Sequence, residues 1–225
     1  MFKFKNFKEK AILKSKEKRW FKDLLIVTSY LEHSKVKYWI EGGNLLAIVR
    51  DKKLLPHSKD SDIDLGMEWN KEQFYKIKNI RETMKFHGFK TNVSYFGIEI
   101  INYRGNKIFR SVLSRLSRFG LDFSWFTTTP ISISFFRKSN GYFWNTWVNK
   151  PGVDFAPRVV PEKFYNNIDT IEFKGHSFPV PYNYLEYLSY KYGQDWNTKK
   201  INWTYYIDDG TIDKSWIDSK TYQNW

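Results

Sequence analysis

Apolar and polar positions change period several times along the chain, and each change marks an element. From Trp20 to Glu32 the positions Trp20, Phe21, Leu24, Leu25, Thr28 and Leu31 recur at helical spacing, which predicts an amphipathic helix with one face on a core. Tyr38-Trp39-Ile40-Glu41 is a short aromatic and β-branched run that predicts a buried strand. Gly42-Gly43 then allow a turn in which backbone approaches a ligand closely, and Asn44 is placed to cap the apolar segment Leu45 to Val49 as a helix. From Asp60 to Met67 the period is two. Ile63, Leu65 and Met67 alternate with Asp62, Asp64 and Gly66, so a strand puts Asp62 and Asp64 on one face.

Further on, Asn70 predicts the start of a helix through His87, with Phe74, Ile77, Ile80 and Met84 inward and Gly88 closing it. Alternation predicts strands over Phe89 to Val93 and Tyr95 to Tyr103, followed by a turn at Arg104-Gly105-Asn106. Residues 143–164, rich in Trp, Phe, Pro and Gly, read as a long irregular segment in which Trp144, Trp147, Asp154 and Arg158 are candidate cleft-lining groups. Asn183 to Tyr192 predicts a helix ending at Gly193. Asp208-Asp209-Gly210 reads as a turn in a tail that holds to the surface through Trp203, Trp216 and Trp225.

Composition narrows the picture. A length of 225 residues suits one domain over 20–225, preceded by a basic segment over 1–19. The net charge of +13 points to anionic partners, and 20% aromatics to a stacked core or to platforms for sugars and bases. With no cysteine, a disulfide framework and a thiolate zinc site are both excluded. The four histidines, His33, His57, His87 and His176, have no metal-ligand spacing. Asn92-Val93-Ser94 and Asn202-Trp203-Thr204 match glycosylation sequons, but no apolar core follows the N-terminal charges as a signal peptide would require. No run is long enough for a membrane-spanning helix, so the chain is expected to be soluble or peripheral and cytoplasmic.

The candidate chemistry lies between Tyr38 and Met67. Free N–H groups at the start of a helix make a phosphate site. Two carboxylates on neighbouring same-face positions repel each other unless a cation sits between them, and hard oxygen ligands suit Mg²⁺ or Mn²⁺ bridged to a substrate phosphate. A lone Asp-x-Asp says little, but one that follows a glycine turn and a helix points to phosphoryl transfer.

These residues resemble the LicD/fukutin family. Gly42, Gly43, Asn44, Leu45, Leu46, Ala47, Val49 and Arg50 match its turn-helix, Leu55-Pro56 its loop, and Asp60, Asp62 and Asp64 its acidic strand. The loop through Lys59 and Asp60 is closer to the fukutin-like branch than to the bacterial choline-phosphate branch. A second block, Phe178-Pro179-Val180-Pro181 with Tyr184, Lys191-Tyr192-Gly193 and Trp196, is similar to the family's late helix, so the likeness spans roughly Lys35 to Trp203. The resemblance implies an α/β (α+β) nucleotidyltransferase fold, a small mixed twisted sheet flanked by helices. It implies transfer of a phospho-alditol or phosphocholine group from a CDP-linked donor to a hydroxyl of a glycan or lipid-linked glycan. Asp62 and Asp64 would hold Mg²⁺ (or Mn²⁺), Gly42, Gly43 and the Asn44 backbone would cradle phosphate, Arg50 and Lys59 would add positive charge, and Asp60 would ligate or orient. With a lipid-linked acceptor, residues 1–19 read either as a solvated leader or as a segment lying on an anionic membrane at its inner face.

The chain departs from the family at one position. The third carboxylate of this fold would fall at Ser132 in Ile131-Ser132-Ile133, and a hydroxyl cannot serve as the base. The role then moves to Asp122 or to Glu99, or activity is impaired. Arg110, Arg115 and Arg118 bind phosphate or face water. Two other classes stay open. One is nucleotidyl transfer to RNA, protein or a small molecule. The other is a non-catalytic module for an anionic ligand, for which nucleic acid is a poor fit because the acidic strand would repel it.

Overall fold

The computed structural model describes residues 2–54, 62–102, 131–147, 156–200 and 202–214. Within them the chain runs α1 (Phe2–His33), β1 (Tyr38–Ile40), α2 (Gly42–Asp51), β2 (Ile63–Glu68), α3 (Lys71–Ile77), α4 (Ile80–Phe86), β3 (Phe89–Val93) and β4 (Gly97–Asn102). It continues with β5 (Ile131–Ser139), β6 (Tyr142–Trp147), β7 (Ala156–Pro161), a 3₁₀ turn (Glu162–Phe164), β8 (Ile168–Phe173), β9 (His176–Pro181), α5 (Tyr184–Tyr192) and α6 (Tyr205–Asp208).

Helix α1 starts well before the apolar pattern does. The N-terminal half has no Gly or Pro and is rich in Lys, which favours helix, so it continues the helix from Phe2 without a break at residue 19. Trp20, Leu24, Val27 and Leu31 are its buried stripe. The predicted helix from Asn70 to His87 is instead two short ones. Asn70 does cap the first, its side chain accepting from the Gln73 N–H at 2.9 Å, but the chain leaves helical register at Lys78-Asn79. Ile77, Ile80 and Met84 are buried as expected, while Phe74, expected inward, is 42% exposed and Gln73 takes the buried place in its turn.

The main sheet has the order β1-β2-β5-β4-β3, with β6 added to β5 and β7 to β6. β2 and β5 are parallel and the other neighbours antiparallel, so the sheet is mixed, as expected for the α+β class. Residues 143–164 are therefore less irregular than their composition suggests. They contain β6 and β7, and Pro157 and Pro161 are tolerated because β7 pairs with β6 alone among the named strands. A second ladder, β8–β9, packs against β1.

Alternation gives the sheet two different faces. Ile63, Leu65 and Met67 of β2, Ile131, Ile133 and Phe135 of β5, and Ile98 and Ile100 of β4 are buried in one cluster with the α1 stripe. On the opposite face the register sets Asp64 beside Ser132, Ser132 beside Glu99, and Glu99 beside Asn92, a polar row across four strands. Further along that face Trp39 lies on Gly66 so closely that a Cβ there would be 2.2 Å from the indole Nε1. Tyr165 stacks on Trp39 at 4.2 Å, with Phe136 at 5.6 Å, so the face is aromatic at one end and acidic at the other.

Candidate active site

Glu41 closes β1 and is the N-cap of α2, so the helix begins at Gly42, before Asn44. The two glycines take helical positions, and the Asn44 side chain has another use. It is buried and its amide donates to the Asp62 carbonyl oxygen at 2.9 Å, tying the helix to the start of β2. Gly42 has φ +61, which glycine adopts at little cost, and a Cβ on it would lie 3.0 Å from Asp64 Oδ2. The bare backbone thus lets the helix start press against the carboxylate. The Glu41 N–H donates to the Asp64 carbonyl at 3.0 Å and fixes the same junction.

The Glu41 side chain is itself buried and well supplied with donors. Its carboxylate accepts from Trp39 Nε1 at 2.9 Å, from the Tyr165 hydroxyl at 2.9 Å and from the Tyr187 hydroxyl. Burial, and then the Glu41 charge, push both tyrosine hydroxyls well above their ordinary range, so they remain donors.

Asp62 and Asp64 open into a cavity of about 770 Å³ together with Gly42, Gly43 and Arg50. Its lining also includes Arg158, Lys191 and Lys200, and the aromatic Tyr192, Trp196 and Trp203. Burial, and next the neighbouring Asp62 charge, raise Asp64 to about 7 against the opposing pull of Arg158. Burial also raises Asp62, to which the Glu99 charge adds, while a hydrogen bond from the Ser132 hydroxyl and the Arg158 charge pull it down. Two carboxylates held this way repel each other, and a divalent cation would relieve both. The donor set fits Mg²⁺ or Mn²⁺, which are held by one or two carboxylates and completed by substrate phosphates. Among the described residues no cluster of three or more acidic or histidine side chains could hold a metal by itself.

The cations have different surroundings. Arg50 is paired with Asp51 through two hydrogen bonds, at 3.3 and 3.0 Å. Lys191, almost fully buried, is 2.7 Å from Asp209, which also accepts from the Thr211 N–H and hydroxyl at 2.8 and 2.6 Å. Burial alone would push Asp209 up, but Lys191 and Arg158 outweigh it and hold the carboxyl below its usual range. The segment expected to be a surface turn is thus a buried support, since Asp209, Thr211 and Ile212 are all covered and Ile212 bridges to Arg158 on β7.

Of the residues singled out in the sequence, the fold brings Gly42, Gly43, Arg50, Asp62, Asp64 and Arg158 to one cavity. Glu99 stands on the same sheet face but beyond Ser132. Lys59, Asp60, His57, Asp122, Asp154, Arg110, Arg115 and Arg118 lie outside the described residues. His33, His87 and His176 line a separate cavity of about 740 Å³ between α1, α4 and β9. Lys191 and Lys200 were not read as site residues. Lys191 had a legible signal, because it follows Tyr187 and Leu188 on the buried face of a short helix, where a lysine has to be paired.

The comparisons with known proteins agree with this geometry. The family model described as LicD/FKTN/FKRP, nucleotidyltransferase domain, matches residues 35–183. The chain is 25% identical over 169 residues to the mouse and human proteins named ribitol 5-phosphate transferase FKRP, covering 74% of this chain. It spans about 30% of the length of those curated relatives. With more than half of its length inside the family model, and with the glycine turn and acidic strand converging on one cavity, the chain belongs to the LicD/FKTN/FKRP nucleotidyltransferase-domain family.

Proposed function

We propose that this protein transfers a phosphorus-containing group, a phospho-alditol or phosphocholine, from a CDP-linked donor to a glycan hydroxyl. The observation that carries the reading is one cavity lined by Asp62, Asp64 and the Gly42-Gly43 turn together with Arg158, Lys191 and Lys200. Acid pair and basic wall together suit a diphosphate with a metal on one side, which neither could hold alone. The cationic wall would take the phosphate oxygens, with Arg158 able to present a planar fork and the two lysines point charges. Tyr192, Trp196 and Trp203 give apolar faces for the nucleoside. The α2 start adds backbone N–H groups, and Asn44 holds Asp62 in place through its main chain. When bound, Mg²⁺ or Mn²⁺ would neutralise charge developing on the departing CMP. The ribitol 5-phosphate named in the relatives makes CDP-ribitol the first donor to try.

The test is a thermal-shift panel of CDP-ribitol, CDP-glycerol, CDP-choline, CTP and ATP, with and without MgCl₂. Stabilisation by one CDP conjugate that requires the metal and is absent in Asp62→Ala is expected. Preference for CTP or ATP over every conjugate would overturn phosphotransfer in favour of nucleotidyl transfer. Silence from all five would remove the enzyme reading.

A further inference from the structure

A second cleft opens on the polar face of the sheet, and its chemistry differs from that of the first. It has a volume of about 370 Å³ and is bordered by Asn92, Gly97, Glu99, Ser132, Ser134 and Asn145. Among the described residues no lysine or arginine lines it, whereas the neighbouring cavity has four such side chains. Phosphate is therefore favoured on one side only. Its serine hydroxyls, and the Asn92 amide hydrogen not given to Glu99, are suited instead to the hydroxyls of a neutral polyol or sugar, while the Asn145 amide is held by the Phe135 carbonyl at 2.7 Å.

The two cavities meet along the row Asp64, Ser132, Glu99. Ser132 hydrogen-bonds to Asp62, and the charge of Glu99 is felt at Asp62, so donor side and cleft are in electrostatic contact. Adjacent strands are about 4.8 Å apart, which sets the Asp64 and Glu99 main chains roughly 10 Å from each other with β5 between. Ser132, a small side chain, lies between them and lines the cleft. Glu99 is paired with Ser132, which is itself paired with Asp64, so it stands on the second strand from Asp64 rather than directly beside it. The Asn92 amide donates to Glu99 Oε2 at 2.8 Å and orients the carboxylate.

We infer that this cleft is the acceptor subsite and that Glu99, across Ser132 from the aspartates, takes the proton of the acceptor hydroxyl. The inference rests on the donor reading above. In the step, the acceptor oxygen forms a bond to the transferred phosphorus as that phosphorus loses its bridging oxygen. The bonding pair leaves with CMP, and the acceptor proton passes to Glu99 Oε. Nothing else is consumed.

The experiment uses Glu99→Gln, which keeps the shape and an acceptor for Asn92 but removes the charge. Metal-dependent binding of the CDP conjugate selected by the panel is measured by calorimetry. CMP release is followed with water and with a methyl glycoside as acceptors. The expected result is donor affinity within threefold of the unmodified protein and CMP release lowered by roughly 10²-fold or more with either acceptor. Release within threefold of the unmodified protein would overturn the inference. So would loss of donor binding in Glu99→Gln, which would place Glu99 in the donor site. An unmodified protein that binds the donor without releasing CMP overturns it as well. If the unmodified protein binds no donor, the underlying reading fails instead, and the two failures are told apart by the calorimetry. A second variant, Ser134→Leu, fills the cleft without touching Glu99. It is expected to raise KM for the glycoside by roughly tenfold with donor affinity unchanged, and an unchanged KM would overturn the subsite.

Discussion

Two pairs of acids, one fully buried and one half-buried, are treated in opposite ways. Glu41 has a donor at every turn, from Trp39, Tyr165 and Tyr187, and Asp209 is matched by Lys191 and Thr211. Asp62 and Asp64 repel each other, are eased in part by the Ser132 hydroxyl and the Arg158 charge, and open into a cavity. Burying a carboxylate is costly unless it is paired and hydrogen-bonded, and the first pair meets that condition within the chain. Among the described residues the second meets it only in part, which leaves a place for a ligand to supply partners. Partner count, more than burial or residue type, separates the acids that hold the fold from those that act.

The sharpest way to break this comparison is to neutralise one member of each pair. Asp64→Asn should lower CMP release by roughly 10³-fold or more, about 4 kcal/mol of barrier. Its melting temperature without metal should match or exceed that of the unmodified protein, because the change removes a repelled charge. Retained turnover, or a melting temperature that falls by several degrees, would place Asp64 among the structural acids. Glu41→Ala should do the reverse. It leaves Trp39 Nε1 and one of the two tyrosine hydroxyls, which also lie 3.0 Å from each other, without their acceptor, and a loss of about 3 kcal/mol, roughly 10 °C in Tm for a chain of this size, is expected by thermal or urea unfolding. A fall of less than a degree would mean that the tyrosine cage does not support the turn.

The site was legible in the sequence where one short segment contained all of its signal. Period two put Asp62 and Asp64 on a face, Gly42 was required by its φ and by the approach of Asp64, and Gly193 ended a helix as expected. What could not be read depends on partners far along the chain. Glu41 meets Tyr165 and Tyr187 from 124 and 146 residues away, and no local pattern distinguishes it from an exposed strand end. Asp209 read as a turn residue because Asp-Gly favours turns, whereas its burial is set by Lys191 on another helix. The hairpin β8–β9 was visible only as a family block. Pro179 and Pro181 argue locally against a strand, and they are accommodated because this ladder has just two strands.

A smaller effect follows from the titration of the unsatisfied pair. Asp64, raised to about 7 in the folded chain, returns to its ordinary value near 3.8 on unfolding. Between roughly pH 4 and 7 the folded protein therefore holds a proton that the unfolded chain releases, so the metal-free protein should lose stability as pH rises through that window. The slope is at most about 1.4 kcal/mol per pH unit for one group. Urea unfolding with EDTA at several pH values measures it, and Asp64→Asn should flatten it. A stability that rises over the same window would mean that Asp64 is already satisfied within the chain.

The smallest effect is expected at an acid that has a partner but no burial. Glu186 on α5 pairs with Lys163, and both side chains are about half exposed. Water screens such a pair, and holding two long side chains together offsets much of the attraction. Glu186→Gln should change unfolding free energy by less than about 0.5 kcal/mol, with a slope against salt close to zero. A loss comparable to that of Glu41→Ala would show that partner count alone sets the contribution. A negligible one fixes the rule more narrowly: partners matter in proportion to the water they replace, so Glu41, with three donors and almost no solvent, stabilises the turn, and Asp64, with neither, is left for a ligand.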